Sequence, residues 1–285
     1  MPVRSLPPMQ DRAFIPIALC LVFAYFPIFS DLLKGIWGNE LVRHAPLVFI
    51  LAVYLAYRVR FQWYHLVDEG NTAGPVHFFL AGIALNIVGQ ILGIFILAQL
   101  SLPVTLYGLV LYLKGRRPAA LLIFPVFFLV LAFPIPGKLY WELMAPLKLF
   151  VSKASAGCLQ ILGYDVIRQG NILTIGALDL GVTDACSGLN SLMAIMTLSV
   201  FYGYLMIRQV SFRIIVAVTM IPLVMVANIF RVTASSIMAV AQGQEVAFGR
   251  FHYLWGVLVF SVCVLGLMAL TWILARIEQK RNDSA

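Results

Sequence analysis

The sequence predicts an all-α polytopic membrane protein of about eight transmembrane helices with a small extracytoplasmic α/β cap. Three observations predict it. The 285 residues are 62% hydrophobic and only 11% charged, with a mean hydropathy of +0.95, against about 25% charged in an ordinary soluble domain. The apolar residues fall in many long runs. The basic residues cluster in the short segments between those runs, as topology signals do. In hydrocarbon the backbone must satisfy its own hydrogen bonds, so long apolar runs imply helices. A membrane barrel is excluded, because it needs short segments of alternating polarity. The net charge of +8 comes with no zinc-finger spacing, helicase loop or basic amphipathic helix, so no nucleic-acid partner is implied.

The first predicted span covers residues 13–30. Its apolar run, Phe14 to Phe29, has no clean small-residue cleavage site and reads as an anchor rather than a signal peptide. A polar link from Asp31 to Arg43 holds Trp37. The second span, 44–57, ends at Arg58 and Arg60, and is short for about 30 Å of hydrocarbon. After a mixed link with Trp63, Asp68 and Glu69, the third span covers 75–97. Asn86 and Gln90 stand four apart there, on one helical face, suited to bind a neighbouring helix. The fourth span, 100–113, ends in Lys114, Gly115, Arg116 and Arg117. The fifth, 119–133, stops at Pro134, Pro136 and Gly137, which do not continue a regular helix.

Residues 138–184 differ in character and are expected to form the cap. Residues 139–156 mix Tyr140, Trp141, Leu147 and Phe150 with Lys138, Glu142, Lys148 and Lys153. That pattern predicts an amphipathic interfacial helix, broken or bent at Pro146. Val166 to Ile175 reads as a hairpin turning at Gly170-Asn171, and residues 178–182 as a third short strand.

The sixth span is expected over 187–207 and the seventh over 214–230, with a kink at Pro222 and Arg231 at its end. Residues 232–250 read as a polar, small-residue link with a short helix over 234–241. The eighth span covers 252–274. The organisation expected is one transmembrane helical domain over 13–275, the interfacial helix and hairpin inserted at 138–184, and a cytoplasmic basic tail at 276–285. Eight spans put both termini on one side. With the termini in the cytoplasm, the 20 basic residues divide 12 inside to 8 outside, and the short inner turns are densely basic. The positive-inside rule then predicts a multi-pass protein of the cell inner membrane with cytoplasmic termini.

This topology gives chemistry to the stretch Thr183-Asp184-Ala185-Cys186-Ser187-Gly188. Cys186 begins the sixth span, Arg231 ends the seventh and His252 begins the eighth, all at the outer face. A thiol, a cationic donor and a base are the parts that acyl transfer needs. Asp184 or Ser187 is suited to cap the helix that follows, whose free N–H groups and dipole favour a thiolate. Asn228 stands three residues before Arg231 on nearly the same helical face. Each group also has a plain structural reading. Cys186 can pair with Cys158 in an oxidising compartment, Arg231 can snorkel to headgroups, and His252 can belong to an aromatic belt with Tyr253 and Trp255. Cys20 and Cys263 fall within apolar runs as packing residues. The four scattered histidines offer no metal-ligand spacing.

The boxes Ala185-Cys186-Ser187-Gly188 and Asn228-Ile229-Phe230-Arg231, with His252 followed by Trp255-Gly256, resemble those of the exosortases and archaeosortases. The resemblance covers residues 14–274 and is most specific from Thr183 onward. It implies a membrane-embedded cysteine protease or transpeptidase with Cys186, Arg231 and His252 catalytic and Asn228, Asp184 and Ser187 supporting, without cofactor or metal. It further implies cleavage, through a thioester, of a C-terminal tripartite sorting signal (a short motif such as proline-glutamate-proline, a hydrophobic helix and a basic cluster) on secreted proteins, in exopolysaccharide-associated export. The implied partners are those secreted proteins, an acceptor and membrane lipids. The competing reading is a noncatalytic assembly factor or transporter for polysaccharide or lipid export, with Asn86, Gln90 and the Pro222 kink lining a path.

Overall fold

A computed structural model describes residues 8–38, 42–65, 76–134, 136–181 and 189–283. The chain is mostly helical. The helices are α1 (Pro8–Gly38), α2 (Ala45–Arg58), α3 (Arg60–His65), α4 (Val76–Ile91), α5 (Phe95–Lys114), α6 (Arg116–Phe128), α7 (Gly137–Ile161), α8 (Leu189–Met206), α9 (Val210–Gln242), α10 (Gln244–Phe248) and α11 (Arg250–Asp283). A 3-10 turn, Leu129–Ala132, follows α6, and three strands, β1 (Val166–Gln169), β2 (Ile172–Ile175) and β3 (Leu178–Gly181), follow α7. The chain forms two compact units, Met1–Pro134 and Ile135–Ala285.

In the first unit, polar side chains tie apolar helices together. Asn86 and Gln90 both donate to the carbonyl of Ala24 on α1, at 3.2 and 3.4 Å, and Gln90 also donates to Asn86 at 2.9 Å. The Tyr25 hydroxyl meets Ser101 Oγ and Thr105 Oγ1 of α5 at 2.9 and 2.6 Å. The amides of α4 thus serve as interhelical glue, as their spacing predicts. The third span expected over 75–97 is interrupted: α4 ends at Ile91 and α5 begins at Phe95. An unbroken apolar run hides this turn, because hydropathy reports the medium around a segment and not its hydrogen bonding.

The second unit carries the site. The hairpin and third strand form as expected. They make an antiparallel sheet in the order β1-β2-β3, pairing Val166 with Ile175 and Leu173 with Leu180. Its inner face, Val166, Leu173, Ile175 and Leu180, packs on Val151, Ala156 and Leu159 of α7 and on Val232 and Ala239 of α9. Each fully buried valine, leucine or isoleucine among them contributes about 1.5–3 kcal/mol. The Ser152 hydroxyl holds the hairpin turn through the Gly170 carbonyl at 3.1 Å. Helix α7 is unbroken, with Pro146 inside it, so of the expected break or bend at Pro146 the break does not occur. Helices α8, α9 and α11 form a separate apolar bundle around Ile195, Val216, Met220, Val224, Cys263 and Leu267.

Among the described helices, three are long and apolar enough to cross a membrane: Phe95–Lys114, Val210–Gln242 and Gln244–Asp283. A fourth is added if Arg116–Ala132 and Gly137–Ile161 make one broken span. Ala45–Arg58, Val76–Ile91 and Asn190–Met206 are apolar but shorter. At 1.5 Å per residue they cover about 21–26 Å, less than the hydrocarbon core. Helix length therefore supports fewer full crossings than the eight expected from hydropathy.

Candidate active site

The site is built on α9, which does not end at Arg231. It continues to Gln242, so the link expected over 232–250 is mostly helix. The reason is local: Val232 to Gln242 contains no proline or glycine, and Gly243 then stops the helix with a φ of +95° that suits glycine alone. Continuation puts Asn228, Arg231 and Ser235 on one helical face, at spacings of i, i+3 and i+7. All three are buried, with exposures of 3%, 7% and 2%.

Helix α11 supplies the opposite wall. After α10 the chain turns at Gly249, where a Cβ would stand 2.7 Å from the Glu245 carbonyl oxygen, so a larger residue does not fit without a shift. His252 follows in the first turn of α11. The two helices run antiparallel in constant register. The Ser235 hydroxyl lies 3.4 Å from His252 Nδ1. One turn further into the bundle, Arg231 Nη1 lies 3.8 Å from where a Gly256 Cβ would stand. At the far end, the Glu278 carboxylate accepts the backbone N–H groups of Arg208 and Gln209 at 3.0 and 2.6 Å, fixing the start of α9. The Arg231 guanidinium is close enough for its charge to act on the His252 imidazole.

Two independent features place this pair at a boundary. The first is packing. Residues of α9 up to Ala227 belong to the bundle core, and from Ile229 onward they belong to the core shared with α7 and the sheet. The Ser155 hydroxyl of α7 reaches the Ile229 carbonyl at 3.4 Å at this changeover. The second is exposure. Large apolar side chains are exposed on α9 from Val210 to Phe230, and the next beyond is Val240. On α11 they are exposed from Tyr253 through Trp272 and beyond. About 21 helical residues span about 31 Å, which matches one hydrocarbon thickness. Arg231 and His252 each stand one residue outside that apolar band. Aromatic rings mark its edge: Trp255 packs edge-on to Phe230 and Phe251, with centroids 5.3 and 5.6 Å apart.

Of the residues expected in the site, the structure therefore brings Arg231 and His252 together and puts Asn228 on the same face of α9. Cys186, Asp184 and Ser187 lie outside the described residues. The described ends on either side of them are Gly181, closing the sheet, and Leu189, opening α8. Cys158 carries a free, exposed thiol on α7, and Cys263 is a buried packing residue of the bundle. Among the described residues no three His, Cys, Asp or Glu side chains gather as metal ligands. Ser235 was not anticipated. The signal for Ser235 was its i+4 spacing from Arg231, visible only once 232–242 is read as helix.

A buried arginine and a histidine at one end of an apolar helical bundle, beneath a small sheet, define a multi-pass helical membrane protein with a polar site at the edge of its apolar band. The chain belongs to the transmembrane exosortase family, whose model matches residues 37–269. No curated protein and no solved structure matches it.

Proposed function

We propose that this protein is a membrane cysteine protease or transpeptidase that cleaves C-terminal sorting signals from secreted proteins. The observation that carries the reading is the Arg231–His252 pair at the edge of the apolar band, where the sheet-bearing unit and the bundle change over. The segment holding Cys186 connects the same two layers. Helix α8 is antiparallel to α9 across the short turn at 207–209, so Leu189 stands about level with Ala227, a turn below Arg231.

In the mechanism, the Cys186 thiolate attacks the scissile carbonyl. His252 takes the thiol proton and later gives it to the leaving amine. Arg231 donates hydrogen bonds to the oxygen that becomes negative. The thioester is resolved by an acceptor nucleophile or by water. Asn228 orients Arg231 or His252, and Asp184 and Ser187 cap the start of α8. The substrate's hydrophobic tail lies against the exposed apolar faces of the bundle, while its recognition motif reaches the site. The full reading has eight crossings with shorter helices included, both termini in the cytoplasm of the inner membrane and the site on the outer face. Residues 138–184 form the interfacial helix and cap, and residues 276–285 the cytoplasmic basic tail. The substrate carries a proline-glutamate-proline-like tripartite tail, and the setting is exopolysaccharide-associated export.

The test is to incubate the purified protein in lipid with a secreted protein bearing such a tail and to locate the cut by mass spectrometry. Cleavage at the motif, lost in Cys186→Ala, is expected. Turnover by Cys186→Ala at the wild-type rate overturns the nucleophile assignment.

A further inference from the structure

The geometry points to Ser235 as the positioning residue that holds His252 in the tautomer the reaction needs, an inference that rests on the proposed catalytic role of His252. Imidazole has two distinct nitrogens, and the hydrogen bond made by one decides which of them carries the proton. Ser235 Oγ stands 3.4 Å from Nδ1 of His252. With Nδ1–H donating to the serine oxygen, the lone pair is on Nε2. Nε2 then carries the basic lone pair that takes the proton from the Cys186 thiol in the proposed reaction, and Nδ1–H keeps its acceptor when the ring becomes positive. On proton transfer to the leaving amine the ring returns to the same tautomer, so no proton is gained or lost over the acyl-transfer step.

Three features suit Ser235 to this task. It is 2% exposed, so its hydroxyl is held in the protein interior rather than in solvent. It lies on continuous α9, one turn beyond Arg231, so the same rigid helix sets the positions of the cationic donor and of the residue that orients the base. It is also neutral. A carboxylate in its place would sit one turn from the buried Arg231 guanidinium and pair with it, whereas a hydroxyl orients the ring without adding a charge beside Arg231.

The test uses the full-length protein in lipid. Ser235→Ala is expected to lower kcat about tenfold with little change in KM, and Ser235→Thr, which keeps the hydroxyl, to restore most of that loss. A purely structural role predicts that the two variants track thermal stability instead. The second measurement needs no variant at 235: nitrogen-15 NMR of histidine-labelled wild-type protein, with the His252 signals assigned by their loss in His252→Gln. Protonation at Nδ1 is expected, and a ring protonated at Nε2 overturns the inference even if Ser235→Ala fails to fold. Wild-type kcat in folded Ser235→Ala, with His252→Ala inactive, overturns the positioning role and leaves the proposed function standing. Full turnover by His252→Ala overturns both.

Discussion

Helix α9 passes through two kinds of interior. Up to Ala227 it packs in a bundle with α8 and α11, and its other side exposes Ile214, Val218 and Val226. From Ile229 onward it is held by α7 and a small sheet, and its buried positions include Ser235 and Ser236. The first environment suits lipid, where an exposed valine costs nothing. The second is a protein cap, where hydroxyls can be buried if they find partners. The difference teaches why a charged residue can sit on an unbroken helix at this level. Asn228 and Arg231 stand where the surroundings change, and Arg231 is one turn from the Ser235 hydroxyl and one residue beyond the apolar band.

The largest expected effect comes from removing the boundary residues themselves. Arg231→Ala and His252→Ala should each lower turnover roughly 10²–10³-fold, as loss of an oxyanion donor or a general base does, measured as substrate cleavage at equal membrane content. Wild-type turnover by Arg231→Ala would sink its electrostatic role.

Lysine substitution on α9 sharpens the edge of the band. Val218→Lys, near the middle of the exposed apolar stretch, should reduce insertion by about 2.5–3.5 kcal/mol. Val240→Lys, beyond Arg231, should insert normally in a glycosylation-tag or protease-accessibility assay. Equal tolerance at both positions would place the band elsewhere.

The cap core is the next target. Leu173→Ala empties a fully buried position of the sheet and should cost the cap about 2–5 kcal/mol. Limited proteolysis should then cut within 162–181 while α8, α9 and α11 stay protected. A uniform loss of protection would show that cap and bundle unfold as one. The glycines of the α10–α11 region give the smallest effects. Gly249→Ala, forced against the Glu245 carbonyl, should displace His252 and lower kcat about tenfold. Gly256→Ala meets Arg231 only at ordinary contact distance, and should stay within about twofold.

These contrasts also explain what could be read from the sequence. The hairpin was legible because Gly170-Asn171 between two alternating runs specifies a turn locally, and Asn86 and Gln90 were legible because helical periodicity puts them on one face. Arg231 and His252 were legible as charges at the ends of apolar runs. The path of α9 past Arg231 was not. The hydropathy drop after Phe230 marks the end of the exposed apolar band, not the end of the helix. No proline or glycine interrupts the helix between Val232 and Gln242, and the cap packed on Val232 and Ala239 adds a tertiary contribution from residues far earlier in the sequence. Ser235 was missed for the same reason. The turn between α4 and α5 lies inside a single apolar run, so hydropathy carried no sign of it.

The most direct measurement is acid quenching of the wild-type protein with a tailed substrate in the absence of acceptor, followed by peptide mass spectrometry. The account predicts an acyl group on the peptide containing Cys186, labile to hydroxylamine, absent from Cys186→Ala and strongly reduced in Arg231→Ala and His252→Ala. Substrate cleavage that proceeds at the full rate with no acyl group on Cys186 would contradict it.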